Sequence, residues 1–257
     1  MSALGALIYK IRCRTRESII KTRFKRSLKK ATPVIVYQMG KVGSSSIYDS
    51  LRKQYKGVVL HRHELEKSDW QGQMLIELAM KQHKPLKIIS LTREPVGRNI
   101  SAFFQNFELI TGIKPENSTY STAELQNIFL SSPVMDHTVP LKWFDDNILK
   151  HFGINIYSTP FPEKGWKIFR NGNTEVLVIK SEISDEVKTK VLSEFTGLNE
   201  FNLYAANVGE SKDYGNMYSL FRKEMKLPAS YIDMFYTSPF IKYFYSENEL
   251  QEARKKW

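Results

Sequence analysis

The sequence has only one cysteine and lacks any apolar stretch long enough to cross a membrane. Cys13 has no second cysteine with which to form an internal disulfide, and no metal site can be built from a cysteine cluster. No segment approaches the ~20 apolar residues that a transmembrane helix needs. The apolar run at residues 3–9 precedes the basic residues, which is the reverse of the order in a signal peptide. We therefore expect a protein of a reducing compartment, located in the cytoplasm.

Acidic residues are nearly missing from the first thirty positions, where basic residues concentrate. Residues 1–30 contain ten Lys and Arg and one acid, Glu17, so they carry +9 of the net +11 and leave +2 for the rest of the chain. A nucleic-acid-binding protein would spread its basic charge over a face of the folded body, which this balance contradicts. Apolar residues recur in this arm at helical spacing, as at Ile20, Phe24 and Leu28. We expect either an amphipathic helix on the anionic inner face of a membrane or a basic tail that is solvated or packed on the body.

The remainder of the chain alternates predicted strands with predicted helices. It shows no internal repeat and no low-complexity linker, so we expect one domain over residues 31–257 after an arm at 1–30. Buried strands are predicted at 33–38, 57–61, 86–92 and 175–180. Helices are predicted at 44–54, 70–83, 96–107 and 184–195, and residues 115–150 are predicted to be mainly helical. This order predicts an α/β fold with a doubly wound, mainly parallel sheet flanked by helices.

The C-terminal part, residues 214–255, is rich in tyrosine and phenylalanine and is predicted to be helical. Aromatic faces stack on sugar rings, which would suit a carbohydrate ligand. Aromatic residues at helical spacing are more often simply core, and we favour that interpretation here.

The first candidate site is the segment Gln-Met-Gly-Lys-Val-Gly-Ser-Ser-Ser at residues 38–46, directly after a predicted strand. Its glycines allow a tight turn, and the start of the next helix presents unpaired N–H groups that favour an anion. Lys41 adds a full positive charge. The P-loop pattern of ATPases is not matched, because the lysine precedes Gly43 instead of following a glycine. The alternative is that the serines only cap the helix. The predicted ligand-binding residues of this loop are Gly40, Lys41, Val42, Gly43, Ser44, Ser45 and Ser46.

The second candidate site also follows a predicted strand. Arg93 stands at the strand end, Pro95 suits a helix start, and Ser101 lies two turns into the helix. An arginine fork and a serine hydroxyl can converge on one phosphate. The alternative is that Arg93 and Arg98 form surface ion pairs with nearby glutamates. Two anion loops on one chain indicate a nucleotide that carries more than one phosphate-like group.

Together these loops resemble the signatures of sulfotransferases that use 3′-phosphoadenosine 5′-phosphosulfate (PAPS). Lys41-Val42-Gly43-Ser44-Ser45 is similar to the family's first signature, which binds the 5′-phosphosulfate, and its lysine bridges to the leaving group. Arg93 and Ser101 are similar to the pair that holds the 3′-phosphate, in a form closest to the carbohydrate branch. The resemblance implies a P-loop-like fold, PAPS as co-substrate and no metal. It also implies a late basic loop over the nucleotide, for which Lys212 is the candidate.

Segments 143–146 and 240–250 also resemble a narrower group, the bacterial capsular-polysaccharide-synthesis proteins, which are related to sulfotransferases. This likeness favours a glycan or glycolipid as the acceptor.

A transferase of this kind needs a base to take the proton of the acceptor hydroxyl. The segment His61-Arg62-His63-Glu64 ends the second predicted strand, beside the first loop. Uronyl-type 2-O-sulfotransferases carry a similar pair of histidines, and this resemblance implies His63 as base, then His61, with Glu64 third. Histidines at strand ends are often structural, which is the alternative. Asp145 and Asp146 are candidates on the acceptor side; as adjacent helical residues they should point in different directions.

The favoured function is therefore sulfuryl transfer from PAPS to a hydroxyl of a glycan or glycolipid. One alternative is a non-catalytic, nucleotide-binding relative that acts in capsule assembly. Another is a nucleotide or sugar kinase, against which the position of the lysine counts.

Overall fold

The computed structural model of the protein describes residues 18–204 and 214–257. The strands are β1 (Val34–Tyr37), β2 (Val59–Arg62), β3 (Leu86–Thr92), β4 (Trp166–Asn171) and β5 (Thr174–Lys180). The helices before β4 are α1 (18–27), α2 (Ser44–Gln54), α3 (Trp70–Met80), α4 (Pro95–Gln105), α5 (Phe107–Thr111), α6 (Thr122–Ser131), α7 (Val139–Phe144) and α8 (Lys150–Phe152). Those after β5 are α9 (Asp185–Thr196), α10 (Gly215–Glu224), α11 (Ala229–Tyr236), α12 (Pro239–Phe244) and α13 (Glu247–Arg254).

Shorter helical segments complete the description. A π-helical segment, Asp145–Leu149, joins α7 to α8, and single 3₁₀ turns occur at Pro115–Asn117 and Ile156–Ser158. In the described ranges, no helix is both long enough and apolar enough to span a bilayer.

The five strands form one sheet in the order β2-β1-β3-β5-β4. Strands β2, β1, β3 and β5 run parallel, whereas β4 pairs antiparallel with β5. The α/β class and the mainly parallel sheet flanked by helices are as predicted. The four residues of β1 are fully buried, which explains their continuous apolar run.

The sequence prediction missed β4. This strand lies at the sheet edge and is only partly buried, so it lacks a buried apolar run. The two-residue loop Gly172-Asn173, with Gly172 at φ 54°, joins β4 to β5, because Asn171 pairs with Thr174 across the hairpin. A Gly-Asn pair before an apolar run is a hairpin signal, and it would have revealed the strand.

The predicted helices match closely in place and differ at their ends. Residues 44–54 are helical as predicted, but the helix predicted over 70–83 ends at Met80. His83 has a φ of 51°, outside the helical region, so the backbone does not continue the helix to that residue.

The aromatic C-terminal part is core, as we favoured. The buried residues of this part that line up along its helices include Phe221, Phe235, Tyr236, Phe240, Phe244 and Tyr245.

The strand order places a topological switch between β1 and β3. From β1 the chain moves outward to β2, then crosses back to β3 on the other side of β1 and continues to β5. The connections after β1 and β3 therefore leave in opposite directions. Open α/β sheets bind ligands in the crevice that forms at such a point, beyond the carboxyl ends of the strands. Both candidate loops begin there.

Candidate functional site

The first loop connects β1 to α2 through two left-handed residues. Lys41 has a φ of 73° and Gly43 a φ of 81°. Gly43 is the N-cap of α2, and Ser44 to Ser46 form its first turn. The alternative that the serines serve as the cap is therefore wrong, because the capping position holds a glycine. A helix N-terminus without a side-chain cap leaves its first N–H groups for water or a ligand.

The half-buried carboxylate of Glu94 holds the start of the second loop. Glu94 accepts hydrogen bonds from the backbone N–H groups of Val96 (2.8 Å) and Gly97 (2.7 Å), and Pro95 takes the first position of α4. Tyr236 also donates its hydroxyl to Glu94, at 3.0 Å. Burial raises the pKa of Glu94, which the two backbone bonds oppose. These contacts set the direction in which β3 passes into α4.

Two arginines of the second loop bind the backbone of the first. Arg93 Nη1 donates to the carbonyl of Lys41 at 3.0 Å, and Arg98 Nε donates to the carbonyl of Gly40 at 3.0 Å. Arg98 is only 8% exposed. The alternative of surface ion pairs is therefore wrong for Arg98. Over residues 18–204 and 214–257, neither arginine has a carboxylate within 4.0 Å.

These two bonds orient the N–H groups of the loop. A trans peptide holds its C=O and N–H on opposite sides, and the described chain contains no cis peptide. Because the carbonyls of Gly40 and Lys41 face the guanidinium groups, the N–H groups of Lys41 and Val42 point the other way. Together with the first turn of α2, they form a row of donors suited to an anion.

Arg98 stays positively charged although it is buried. Burial lowers its pKa to about 10, and the neighbouring Arg93 adds to this effect, while Asp136 and Tyr231 oppose it. A guanidinium with this pKa is protonated at neutral pH. Two adjacent guanidinium groups without a close carboxylate favour an anion in the crevice.

A cluster of polar side chains lies beneath the first loop. Gln38 Nε2 lies 2.5 Å from Ser44 Oγ and 3.1 Å from His61 Nε2, and Ser44 Oγ lies 2.9 Å from His61 Nε2. The ring of His61 stacks on Tyr48 with centroids 5.0 Å apart. Ser44 is buried and engaged in this cluster. Because the hydroxyl of Ser44 is used in this cluster, only its backbone N–H would remain to bind a ligand.

His61 is held in its neutral form. Burial lowers its pKa to about 4; His63 and Arg62 act in the same direction, and Asp49 opposes them. A neutral imidazole that accepts from Ser44 and stacks on Tyr48 supports the loop. This environment favours the structural role for His61 that we raised as the alternative.

His63 lies at the surface of the same cluster. Its Nδ1 is 3.0 Å from the backbone carbonyl of Gln38, a partner that can only accept. This contact, shorter than the 3.4 Å between Nδ1 and the side-chain Nε2 of Gln38, favours the tautomer with its proton on Nδ1, in which Nε2 is the nitrogen that can accept. A Cβ atom at Gly40 would lie 4.0 Å from Nε2 of His63, so this nitrogen faces the first loop. The indole of Trp143 donates to the backbone carbonyl of His63 at 3.2 Å and fixes its position.

A second buried network supports Arg98 from the helical half of the chain. Arg98 Nη1 donates to Asn99 Oδ1 at 3.0 Å, and Asn99 Nδ2 donates to the carbonyl of His137 at 3.0 Å. The hydroxyl of Tyr231 lies 2.8 Å from Nδ1 of His137. Sequence reasoning missed this network and the role of Gln38. For Gln38 the signal is a polar residue directly after a continuous apolar strand, whereas no local pattern marks the network around Asn99.

The other predicted residues fall in three places. Ser101 lies on α4, three residues after Arg98 and on the same side of the helix. Glu64 is exposed beside His63. Lys212 lies outside the described residues.

The two acids proposed for the acceptor side lie in the π-helical segment. Both are exposed. Burial raises the pKa of Tyr157, and the charge of Asp145 adds to this effect. That the two carboxylates point in different directions stays a prediction.

Residues 124–246 match the model of a family described as "Putative capsular polysaccharide synthesis protein". No curated protein and no solved structure matches the chain. The matched segment is a little under half of the chain and contains neither anion loop. It does supply His137, Tyr231 and Tyr236, which contact Asn99 and Glu94 of the second loop, and Trp143, which contacts His63. Over its second half, the chain is thus similar to the capsular polysaccharide synthesis family.

Proposed function

We propose that this protein is a PAPS-dependent sulfotransferase that modifies a hydroxyl group of a glycan or glycolipid, on a P-loop-like fold. The observation that carries the proposal is the junction of the two loops at the switch between β1 and β3. Arg93 and Arg98 bind the carbonyls of Lys41 and Gly40 there, so the two loops are in direct contact at the carboxyl ends of neighbouring strands. A single nucleotide with phosphate groups at both ends can span such a pair of loops.

The first loop would hold the phosphosulfate end of the donor. Gly40 and Gly43 let the backbone approach closely, and the N–H groups from Lys41 to Ser46 supply donors at the helix N-terminus. The ammonium group of Lys41 would meet the negative charge that builds on the leaving phosphate, as fixed cations do in phosphoryl transfer.

The second loop would hold the 3′-phosphate. Arg93 uses Nη1 for the carbonyl of Lys41. A guanidinium has five N–H donors, so others can bind a phosphate. Ser101 adds a hydroxyl from α4. Arg98, which is buried, would position the loop and contribute its charge from beneath.

His63 would act as the base. When bound, PAPS supplies a sulfuryl group, whose bond to the 5′-phosphate oxygen breaks as the acceptor oxygen bonds to sulfur. Nε2 of His63 would take the proton of the acceptor hydroxyl, because Nδ1 is committed to the carbonyl of Gln38. The products are a sulfate ester, adenosine 3′,5′-bisphosphate and the proton held by His63.

The glycan acceptor is supported by the family similarity. The matched segment is similar to a family described as putative capsular polysaccharide synthesis proteins, and it contacts His63 through Trp143 and the second loop through Tyr231. An acceptor bound beside Trp143 would lie on the same side of the loop as His63.

The test is ligand binding followed by turnover with the full chain. Adenosine 3′,5′-bisphosphate should raise the unfolding temperature more than ATP does at equal concentration. Labelled PAPS should then transfer its label to a capsular glycan or glycolipid fraction. Binding without transfer to any fraction would favour the non-catalytic relative, and a stronger effect of ATP would favour a kinase. Either result would overturn the sulfotransferase assignment.

A further inference from the structure

A cavity of about 780 Å³ lies at the opposite end of the sheet from the two loops. It opens at the amino ends of β1 and β3, where Thr32 and Pro33 meet Pro85 and Leu86, and it runs between α1 and α3. One strand length, roughly 10 Å for the four residues of β1, separates this end from the start of the first loop. A ligand in this cavity would therefore not be the group that reacts at the crevice.

The floor of the cavity is apolar. Leu75 and Leu86 are almost fully buried, and Leu28, Met74 and Leu78 are half-buried against the core. The volume falls in the range of roughly 300–1,000 Å³ that is typical of small-molecule sites with apolar walls.

The rim of the cavity is basic. Lys25 and Lys29 line it from α1 and the turn after it, and Lys84 lines it from the start of β3; all three are exposed. Glu77 is the one acid in the lining. None of the ion pairs formed within the described part of the chain involves these lysines or Glu77.

Helix α1 forms the roof and adds further positive charge. It packs on the body through the edge of Phe24 against Trp70, with ring centroids 5.2 Å apart, and Lys21 lies over the same indole. Residues 18–30 contain no acid and six basic residues: Lys21, Arg23, Lys25, Arg26, Lys29 and Lys30. The field at the mouth of the cavity is therefore strongly positive.

We propose that this cavity binds an amphiphile with one anionic headgroup and an aliphatic chain. The chain would lie on the floor made by α3 and the strand ends, and the headgroup would lie among Lys25, Lys29 and Lys84. This ligand class fits both observations at once, because an apolar volume alone would not need the lysines and an anion alone would not need the volume. A bilayer lipid and a free amphiphile share this chemistry.

Calorimetry with the full chain tests the proposal with three probes of equal chain length, each below its aggregation concentration. Dodecyl phosphate and dodecanoate should bind, and uncharged dodecyl maltoside should bind at least about tenfold more weakly. The double variant K29E/K84E should weaken binding of dodecyl phosphate by about tenfold or more, and Glu77→Lys should strengthen it. Lys223→Glu on α10 reverses a single charge away from the cavity, compared with two in K29E/K84E, and should change nothing. An unchanged circular dichroism melting curve for each variant shows that its fold is intact.

Sedimentation with vesicles identifies the source of the ligand. If vesicles containing phosphatidylglycerol bind the protein, phosphatidylcholine vesicles do not, and K29E/K84E abolishes the binding, the occupant comes from a bilayer. Binding of monomeric dodecyl phosphate without vesicle binding assigns a free amphiphile. Binding of neither probe would overturn the proposal. So would maltoside binding as strong as that of the phosphate, or equal losses in Lys223→Glu and K29E/K84E. None of these results depends on the nucleotide crevice, so failure here and failure of the sulfotransferase assignment are distinguishable.

Discussion

Lys41 combines a charge that the proposed reaction needs with a backbone conformation that lysine does not favour. Its φ of 73° lies in the left-handed region, where a side chain with a Cβ costs about 1–2 kcal/mol. Glycine has no such cost. Lys41→Ala and Lys41→Gly both remove the ammonium group, but only the glycine variant relieves the strain. Comparing the two separates the chemistry of Lys41 from its effect on stability.

The expected difference follows from two opposing terms. The glycine variant gains the relief of strain, and it loses about 0.4–1 kcal/mol because glycine makes the unfolded chain more flexible than alanine does. The glycine variant should therefore be about 0.5–1 kcal/mol more stable than the alanine variant. For a chain of this size, that is about 1–4 °C in the unfolding temperature.

The measurement is urea and thermal unfolding of both variants, with sulfuryl transfer from labelled PAPS assayed in parallel. Both variants should lose turnover, because neither can stabilise the leaving phosphate. Lys190 is the matched control, since it is exposed in the middle of α9, where alanine should be more stable than glycine by about 1 kcal/mol. The order of stability should therefore reverse between the two positions.

Two results would refute this reasoning. If the Lys41→Gly variant were less stable than the Lys41→Ala variant, the assignment of a left-handed backbone conformation to Lys41 would be wrong. If either variant kept its turnover, the role of the lysine in transfer would be wrong. The two outcomes are independent, because one concerns the backbone and the other concerns the charge.

Three further predictions concern the supports of the loop. Arg98→Met should weaken binding of adenosine 3′,5′-bisphosphate by about 10–100-fold in calorimetry, because it removes a charge-assisted bond worth about 1.5–3 kcal/mol. The control is Arg254→Met, which removes an arginine paired with Asp233 at the surface and should leave the affinity unchanged. His63→Ala should lower kcat by about 10²–10⁴-fold, and His61→Gln should instead lower the unfolding temperature; equal kcat losses in both would contradict the assignment of the base. The free energy of unfolding should fall as the pH drops from 6.5 towards about 4. Over this range His61 becomes protonated in the unfolded chain but stays neutral in the folded chain, so acid favours the unfolded state. This loss should be about 1–2 kcal/mol after allowance for the partial exposure of the ring, and a His61→Gln variant should lack it.

Much of the fold was predictable because its signals are local. The buried strands β1, β3 and β5 are visible in the sequence as mainly apolar runs. Both ends of α2 were predicted correctly. Edge strand β4 was not predicted, since a half-buried strand shows no such run. The positions of both anion loops follow from the same rule, because each comes directly after a buried strand.

The partners within the site were less predictable, because they depend on contacts between distant segments. Arg98 and Gly40 are 58 residues apart in the chain, and their bond exists only because β1 and β3 are neighbours in the sheet. In the same way, Trp143 reaches His63 across 80 residues. Local patterns could suggest a surface ion pair for Arg98, and its burial reversed that interpretation.

The amino-acid order by itself determined the α/β class, the two loops and the kinds of residue they carry, since apolar runs, glycines and charges act over a few neighbours. Only the tertiary structure decided that the two loops contact each other, which nitrogen of His63 faces the first loop, and that Arg98 supports that loop from within. It alone revealed the basic-rimmed cavity beneath α1. The physical reason is that the strand order and the packing of the helices bring together segments that are distant in the chain, and no local sequence pattern predicts such contacts.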